Sequence, residues 1–224
     1  MPLKIIRPDH MEIMGKGPVL LTATHAASPH ADLHTGPIVE DSALVAKCYA
    51  VIGKVSREYL DLNRIQSANS DFRAAIQTLL DEEGVKCILD IHGKRDPGVE
   101  IGTAMGETAS ESTTRIVEDI LARTFKVTLN QHYKGIELGS IVTTYNTKSA
   151  RGQFSLEAVQ IEFGEEERTL QREAIITSIA LIVSTLNHKL GFSMTEESAG
   201  NDLDKTYPGL GEESDSENET GGNP

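Results

Sequence analysis

The sequence predicts an α/β protein in which helices cover both faces of a mixed, mostly parallel central sheet, giving three α/β/α layers. Three observations predict it. Runs of β type alternate with helical patterns over the first 190 residues. "PVLLTATH" (18–25) and "VKCILDIHG" (85–93) are nearly continuous apolar runs, the kind that strands covered on both faces require. Three further β-type runs follow in the second half with little helix between them, which makes a mixed sheet the better reading than a purely parallel one.

Taken in order, 18–25 is a buried strand. "EDSALVAKCYAVIGKV" (40–55) places Ala43, Val45, Ala46, Tyr49, Ala50 and Val51 on helical rows behind an acidic start, and predicts a helix. "SDFRAAIQTLLDEEG" (70–84) has Ser70 as cap, an apolar face of Phe72, Ile76, Leu79 and Leu80, and Gly84 as stop. Residues 85–93 form the strongest strand, and "VEIGTA" a short one after it. "SESTTRIVEDILARTF" (110–125) is helical through Ile116, Ile120 and Leu121. "KVTLNQHY", "GSIVTTY" and "AVQIEF" read as strands, and 167–190 as one long helix. There is no internal repeat.

The chain carries 34 acidic against 21 basic residues, a formal net charge of −13. From 195 to 224 it holds nine acidic residues and a single lysine, which is −8 of that charge, with little apolar surface to bury. This predicts one folded domain over 1–194 and a disordered acidic tail. The remaining charge of about −5 argues against nucleic-acid binding, which needs clustered Lys and Arg. The first residues lack the pattern of a signal peptide, and no apolar run approaches the ~20 residues that span a bilayer. Cys48 and Cys87 lie in apolar contexts without CxxC spacing, as buried free thiols do. The expectation is a cytoplasmic protein that binds no membrane.

Three of the seven histidines, His25, His30 and His34, crowd into "THAASPHADLHTG". Two strands end on histidine, "LLTATH" at His25 and "ILDIH" at His92, and open α/β sheets bind ligands beyond the carboxyl ends of their strands. Glu162 stands between apolar neighbours in "AVQIEF", where a carboxylate needs a partner or a function. Two histidines, a carboxylate and a base fit a catalytic zinc site. The same residues also read as strand-end histidines bonded to backbone and a salt-bridged glutamate. Asn63 and Arg64 in "DLNR" are suited to gripping a carboxylate, or to a structural role.

The order of these pieces, a histidine after the first strand, then "DLNR", then "DIHG", then "QIEF", resembles the zinc carboxypeptidase superfamily. Their detail, including "GPIVEDSALVAKCYA" and "VEIGTAMG", is similar to its N-formylglutamate amidohydrolase branch, over about residues 18–190. The resemblance implies a zinc carboxypeptidase-like fold, with Zn2+ held by His25 and His92 and with Glu162 as general base. Asn63 and Arg64 would take the substrate's α-carboxylate. His25-Ala-Ala-Ser28 lacks the superfamily's glutamate three residues after its first histidine, so the carboxylate ligand must come from elsewhere. Glu40 is the expected ligand, ahead of Asp41 and then Asp32. Among Lys94, Arg95 and Arg151, Arg95 is the expected aid to the oxyanion. His30 and His34 become loop residues near the mouth.

The function so implied is zinc-dependent cleavage of a small-molecule N-acyl amino acid such as N-formylglutamate. The alternatives are a small zinc carboxypeptidase acting on peptides, or a degenerate metal-binding interaction module with the acidic tail as its contact arm.

Overall fold

The computed structural model describes residues 2–193, so the expected acidic tail at 195–224 lies outside the described residues. The strands are β1 (Leu3–Ile6), β2 (His10–Met14), β3 (Val19–Ala23), β4 (Tyr49–Gly53), β5 (Cys87–Lys94), β6 (Val99–Gly102), β7 (Val127–Leu129), β8 (Thr147–Lys148) and β9 (Phe154–Gly164). The helices are α1 (Thr35–Ala46), α2 (Asp71–Glu82), α3 (Glu111–Leu121), α4 (Ile141–Thr144), α5 (Glu165–Leu170) and α6 (Arg172–Lys189).

One sheet runs in the order β1-β2-β4-β3-β5-β9-β6-β7, with β8 beside β9. Its centre is parallel, β4 on β3, β3 on β5 and β5 on β9, while β1, β2 and the β6–β9 pairing are antiparallel. Leu21, Leu89, Ile91, Val159 and Ile161 pack on α1, α3 and α6; on the other face Leu20, Ile88 and Ala158 pack on α2 and α4. The expected three-layer α/β fold with a mixed sheet is the one observed. Cys48 and Cys87 are buried and free, and burial pushes both thiols up to about 12. No described helix is long and apolar enough to cross a membrane.

Three elements differ from expectation. The helix expected over 40–55 begins at Thr35 and stops at Ala46, where Lys47 turns left-handed (φ 54°) and donates its N–H to the Ala43 carbonyl. The following "YAVIG" is instead the fully buried strand β4, between β2 and β3. Small and β-branched residues satisfy both periodicities over so short a run, and the sheet position decides. "GSIVTTY" holds a helical turn and no strand: Ser140 caps α4 by accepting from the Thr143 N–H, and Asn63 Oδ1 accepts the Ile141 N–H at 2.8 Å. The long helix expected over 167–190 is broken at Gln171 into α5 and α6. The hairpin β1–β2 was not foreseen; it edges the sheet on β4.

Candidate metal and catalytic site

Alternation along β5 and β9 builds the site. Leu89, Ile91, Val159, Ile161 and Phe163 point to the α1–α6 core, so Asp90, His92, Gln160 and Glu162 share the opposite face. Toward the carboxyl end of that face α2 and α4 give way to polar residues. Register places Asp90 beside Gln160, and His92 beside Glu162, with Glu100 of β6 on the far side of Glu162. Thr22 of β3 stands at the level of Asp90, and His25 follows two residues after the end of β3.

His25, His92 and Asp32 converge. Their facing ligand atoms all lie within 4.8 Å of one another. Asp32 Oδ2 is 3.4 Å from His25 Nδ1 and 3.4 Å from His92 Nδ1, and accepts the Gly93 N–H at 3.1 Å. The far nitrogens are held from behind. His25 Nε2 meets Asp61 Oδ1 at 2.7 Å, and His92 Nε2 meets Asp90 Oδ2 at 2.7 Å. Asp90 is fully buried and its other oxygen accepts from Thr22 Oγ1 at 2.7 Å. A carboxylate behind each imidazole fixes its orientation and leaves the opposite nitrogen to bind, the usual outer arrangement of a metal-ligating histidine.

The charges are tightly coupled. Burial opposes ionisation of Asp32, yet the His25 and His92 hydrogen bonds hold its carboxyl far below the ordinary range. Burial also opposes charge on His92, but Asp90 and Asp32 raise it well above its usual value. The Asp61 carboxyl, against burial, is lowered to about 2 by His25. Glu162 moves the other way: burial raises it, the Asp32 and Asp90 charges add, and His92 offsets only part. A buried carboxyl with a raised pKa beside a cluster of deprotonatable ligands suits a general base.

The structure departs from the expected ligand set at its carboxylate. Glu40 lies within α1 and pairs with Lys4 Nζ at 2.5 Å, and Asp41 pairs with Arg172, so neither reaches the histidines. Asp32 does, because its N–H donates to the His25 carbonyl at 2.8 Å and folds the loop back. A motif read at fixed spacing cannot show such a fold-back; the remaining signal was an Asp in the loop after His25.

The cations also redistribute. Arg95 is exposed in the β5–β6 connection, the Lys94 amine is taken by the Asp96 and Pro97 carbonyls, and Arg151 lies at the opposite end of β9 from Glu162. Two arginines that sequence reasoning missed stand at the site. Arg57 Nη2 pairs with Asp32 Oδ1, and Arg168 lies buried behind Gly93. Asn63 is buried and occupied, with Nδ2 3.4 Å from His92 Nε2 and Oδ1 on the Ile141 N–H, which is a role in holding the site together. Arg64 is half-buried and donates to the Asn63 carbonyl at 2.8 Å. His30 and His34 are exposed and outside the ligand group.

Comparison with known proteins agrees with this architecture. The family model for N-formylglutamate amidohydrolase matches residues 69–167. An N-formylglutamate amidohydrolase from Ralstonia eutropha JMP134 superposes with a TM-score of 0.66 at 13% identity, covering 83% of this chain and 99% of its own. A bacteriophage poly-γ-glutamate hydrolase superposes with a TM-score of 0.56 at 11% identity, covering 83% and 93%. YNDL in a zinc-free form follows at 0.52 and 12%, covering 80% and 91%. At these identities the superpositions show a shared fold. No curated protein sequence matches the chain. The chain resembles the N-formylglutamate amidohydrolase family over residues 69–167, and the superposed structures share its fold.

Proposed function

We propose that the protein is a zinc-dependent amidohydrolase that cleaves a small N-acyl amino acid, of which N-formylglutamate is the first to test. The family match and the shared fold support a hydrolase. The observation that carries the metal dependence is the convergence of His25, Asp32 and His92 with a carboxylate behind each imidazole. Two histidines and one carboxylate are a donor set of catalytic zinc, three protein ligands that leave positions open. Bound there, zinc would polarise the acyl carbonyl and lower the pKa of a water.

The chain's own residues supply the remainder. Glu162, buried beside His92, accepts the proton of the attacking water and returns it to the leaving amine. Arg57, a third exposed and in contact with Asp32, is the cation placed to meet negative charge developing on the acyl oxygen, the part expected of Arg95. Arg64 takes the substrate's α-carboxylate, and Asn63 anchors the turn that presents it. Asp32 supplies the carboxylate missing after His25.

The test is purified protein assayed for metal content and for release of formate from N-formylglutamate, with blocked dipeptides in parallel. The expected result is about one zinc per chain and hydrolysis of the N-formyl substrate. Glu162→Gln should keep the metal and lose at least about 100-fold in kcat, the scale of a general base. Full activity in that variant would overturn the mechanism.

A further inference from the structure

Arg168 sits on α5, outside every motif that points to the site, and is only 5% exposed. Its guanidinium makes no ion pair within salt-bridge distance among the described residues and is spent on three carbonyls. Nε donates to Leu33 at 2.8 Å, and Nη1 to Lys94 at 3.1 Å and to Phe163. Each acceptor lies one or two residues from a site residue: Leu33 follows Asp32, Lys94 is two beyond His92, and Phe163 follows Glu162. The loop and the two strand ends have no covalent reason to keep their spacing, and one planar donor spans all three.

A second observation is independent of those bonds. The guanidinium packs on Gly93, the residue between His92 and Lys94. A Cβ there would lie against its Nη1, Cζ and Nε, the last at 2.9 Å. The same Gly93 donates its N–H to Asp32 Oδ2. The missing side chain thus admits the arginine on one side while the backbone holds the carboxylate on the other. Burial disfavours a cation at this point and holds the guanidinium below its ordinary range, with Asp32, Glu165, Glu162 and Glu167 offsetting only part. A buried cation bonded only to carbonyls is costly unless the geometry needs it.

We propose that Arg168 is a positioning residue that locks the Asp32 loop to the ends of β5 and β9, and so sets how tightly His25, Asp32 and His92 take a metal. The second half rests on the functional reading above; the lock itself does not. Lysine offers one compact donor group where arginine offers a fork, so Arg168→Lys keeps the charge without spanning three acceptors.

The test uses the full chain, with hydrogen exchange on metal-free protein and chelator-competed zinc affinity on the same samples. Arg168→Gln should speed exchange of the 26–34 amides about tenfold while the β5 and β9 amides keep their protection, marking a local opening. Zinc affinity should fall about 10–100-fold, the scale of lost support around metal ligands, with Arg168→Lys recovering part of it. Gly93→Ala should act in the same direction, since it displaces the guanidinium without removing it, and it decides the matter if Arg168→Gln does not fold. Cobalt-substituted protein should show altered visible bands in Arg168→Gln and Gly93→Ala, which lowered stability alone would not cause. Wild-type exchange at 26–34 in the folded variants would overturn the lock, and unchanged zinc affinity would overturn its consequence. A wild-type protein that takes up no metal would overturn the functional reading and the second half of this proposal, while the exchange result still decides the lock.

Discussion

Asp32 reaches the two histidines because the chain after β3 folds back on itself. Its N–H bonds the His25 carbonyl, its carbonyl accepts from Thr35, and its carboxylate oxygens divide between Arg57 on one side and His25, His92 and Gly93 on the other. Asp32→Ala should therefore lower zinc affinity by at least about 100-fold, more than the loss of an outer partner costs. Glu40→Ala, which frees only a half-exposed pair with Lys4, should leave it unchanged. Zinc titration of both variants against a chelating dye distinguishes them. Arg64 gives a kinetic prediction: Arg64→Ala should raise KM about 10–100-fold, as loss of a charge-assisted bond of about 1.5–3 kcal/mol does, with a smaller change in kcat. His25, His92 and Glu162 stood out in the sequence because a polar residue at the end of an apolar strand is anomalous in itself. Asp32 and Arg57 did not, because a polar residue in a loop is what loops contain.

Elements were legible where one periodicity ran long enough. α2 fills its expected span and α3 starts where expected but stops at Leu121, short of 125; each is capped by a serine, Ser70 accepting from the Arg73 N–H and Ser110 from the Thr113 N–H. β4 and α4 were misread because four or five apolar residues fit either period, and the deciding facts are a neighbouring strand in one case and Asn63 in the other. The hairpin β1–β2 carries its own electrostatic clip. Buried His10 lies 2.7 Å from Asp9 Oδ1 and 3.4 Å from Glu12 Oε1, and Asp9 Oδ2 accepts the Phe72 N–H at the start of α2. Burial works against charge on His10, yet Glu12 and Asp9 raise it above 6.5; His10 in turn is the main cause lowering Glu12 below 4.5. The raised histidine stabilises fully below 6.5 and loses this as pH rises through its folded value. The lowered glutamate stabilises fully above 4.5 and loses this as pH falls through its own. Both contributions are complete only between those values. The Tm difference between wild type and His10→Gln should accordingly be largest between about pH 4.5 and 6.5 and shrink as pH rises above that window, read by thermal unfolding.

At the scale of the described domain, the site joins separate stretches of chain across one sheet. His25 and Asp32 come from the β3–α1 loop, Asp61 from the segment after β4, Asp90 and His92 from β5, and Glu162 from β9. A metal bound to the first, second and fifth of these ties the folded arrangement together and cannot bind the unfolded chain in the same way. Zinc at about 100 times its Kd should then stabilise folding by about 2.7 kcal/mol, and a chelator should reverse the gain, as a calorimetric scan would show. The same zinc should stabilise Asp32→Ala by no more than about 0.4 kcal/mol, since a site weakened about 100-fold is then at most half filled.

The sequence by itself determined the layered α/β architecture, the buried faces of α2 and α3 and the strand-end histidines. These follow from local periodicity and from the cost of placing a polar group in an apolar run. Only the tertiary structure brings Asp32 to the two histidines, sets Arg57 and Arg168 beside them and bonds Asn63 to the start of α4. Those choices depend on how a loop folds back and on which strand ends become neighbours, and contacts between residues far apart in the chain leave no period in the sequence to read.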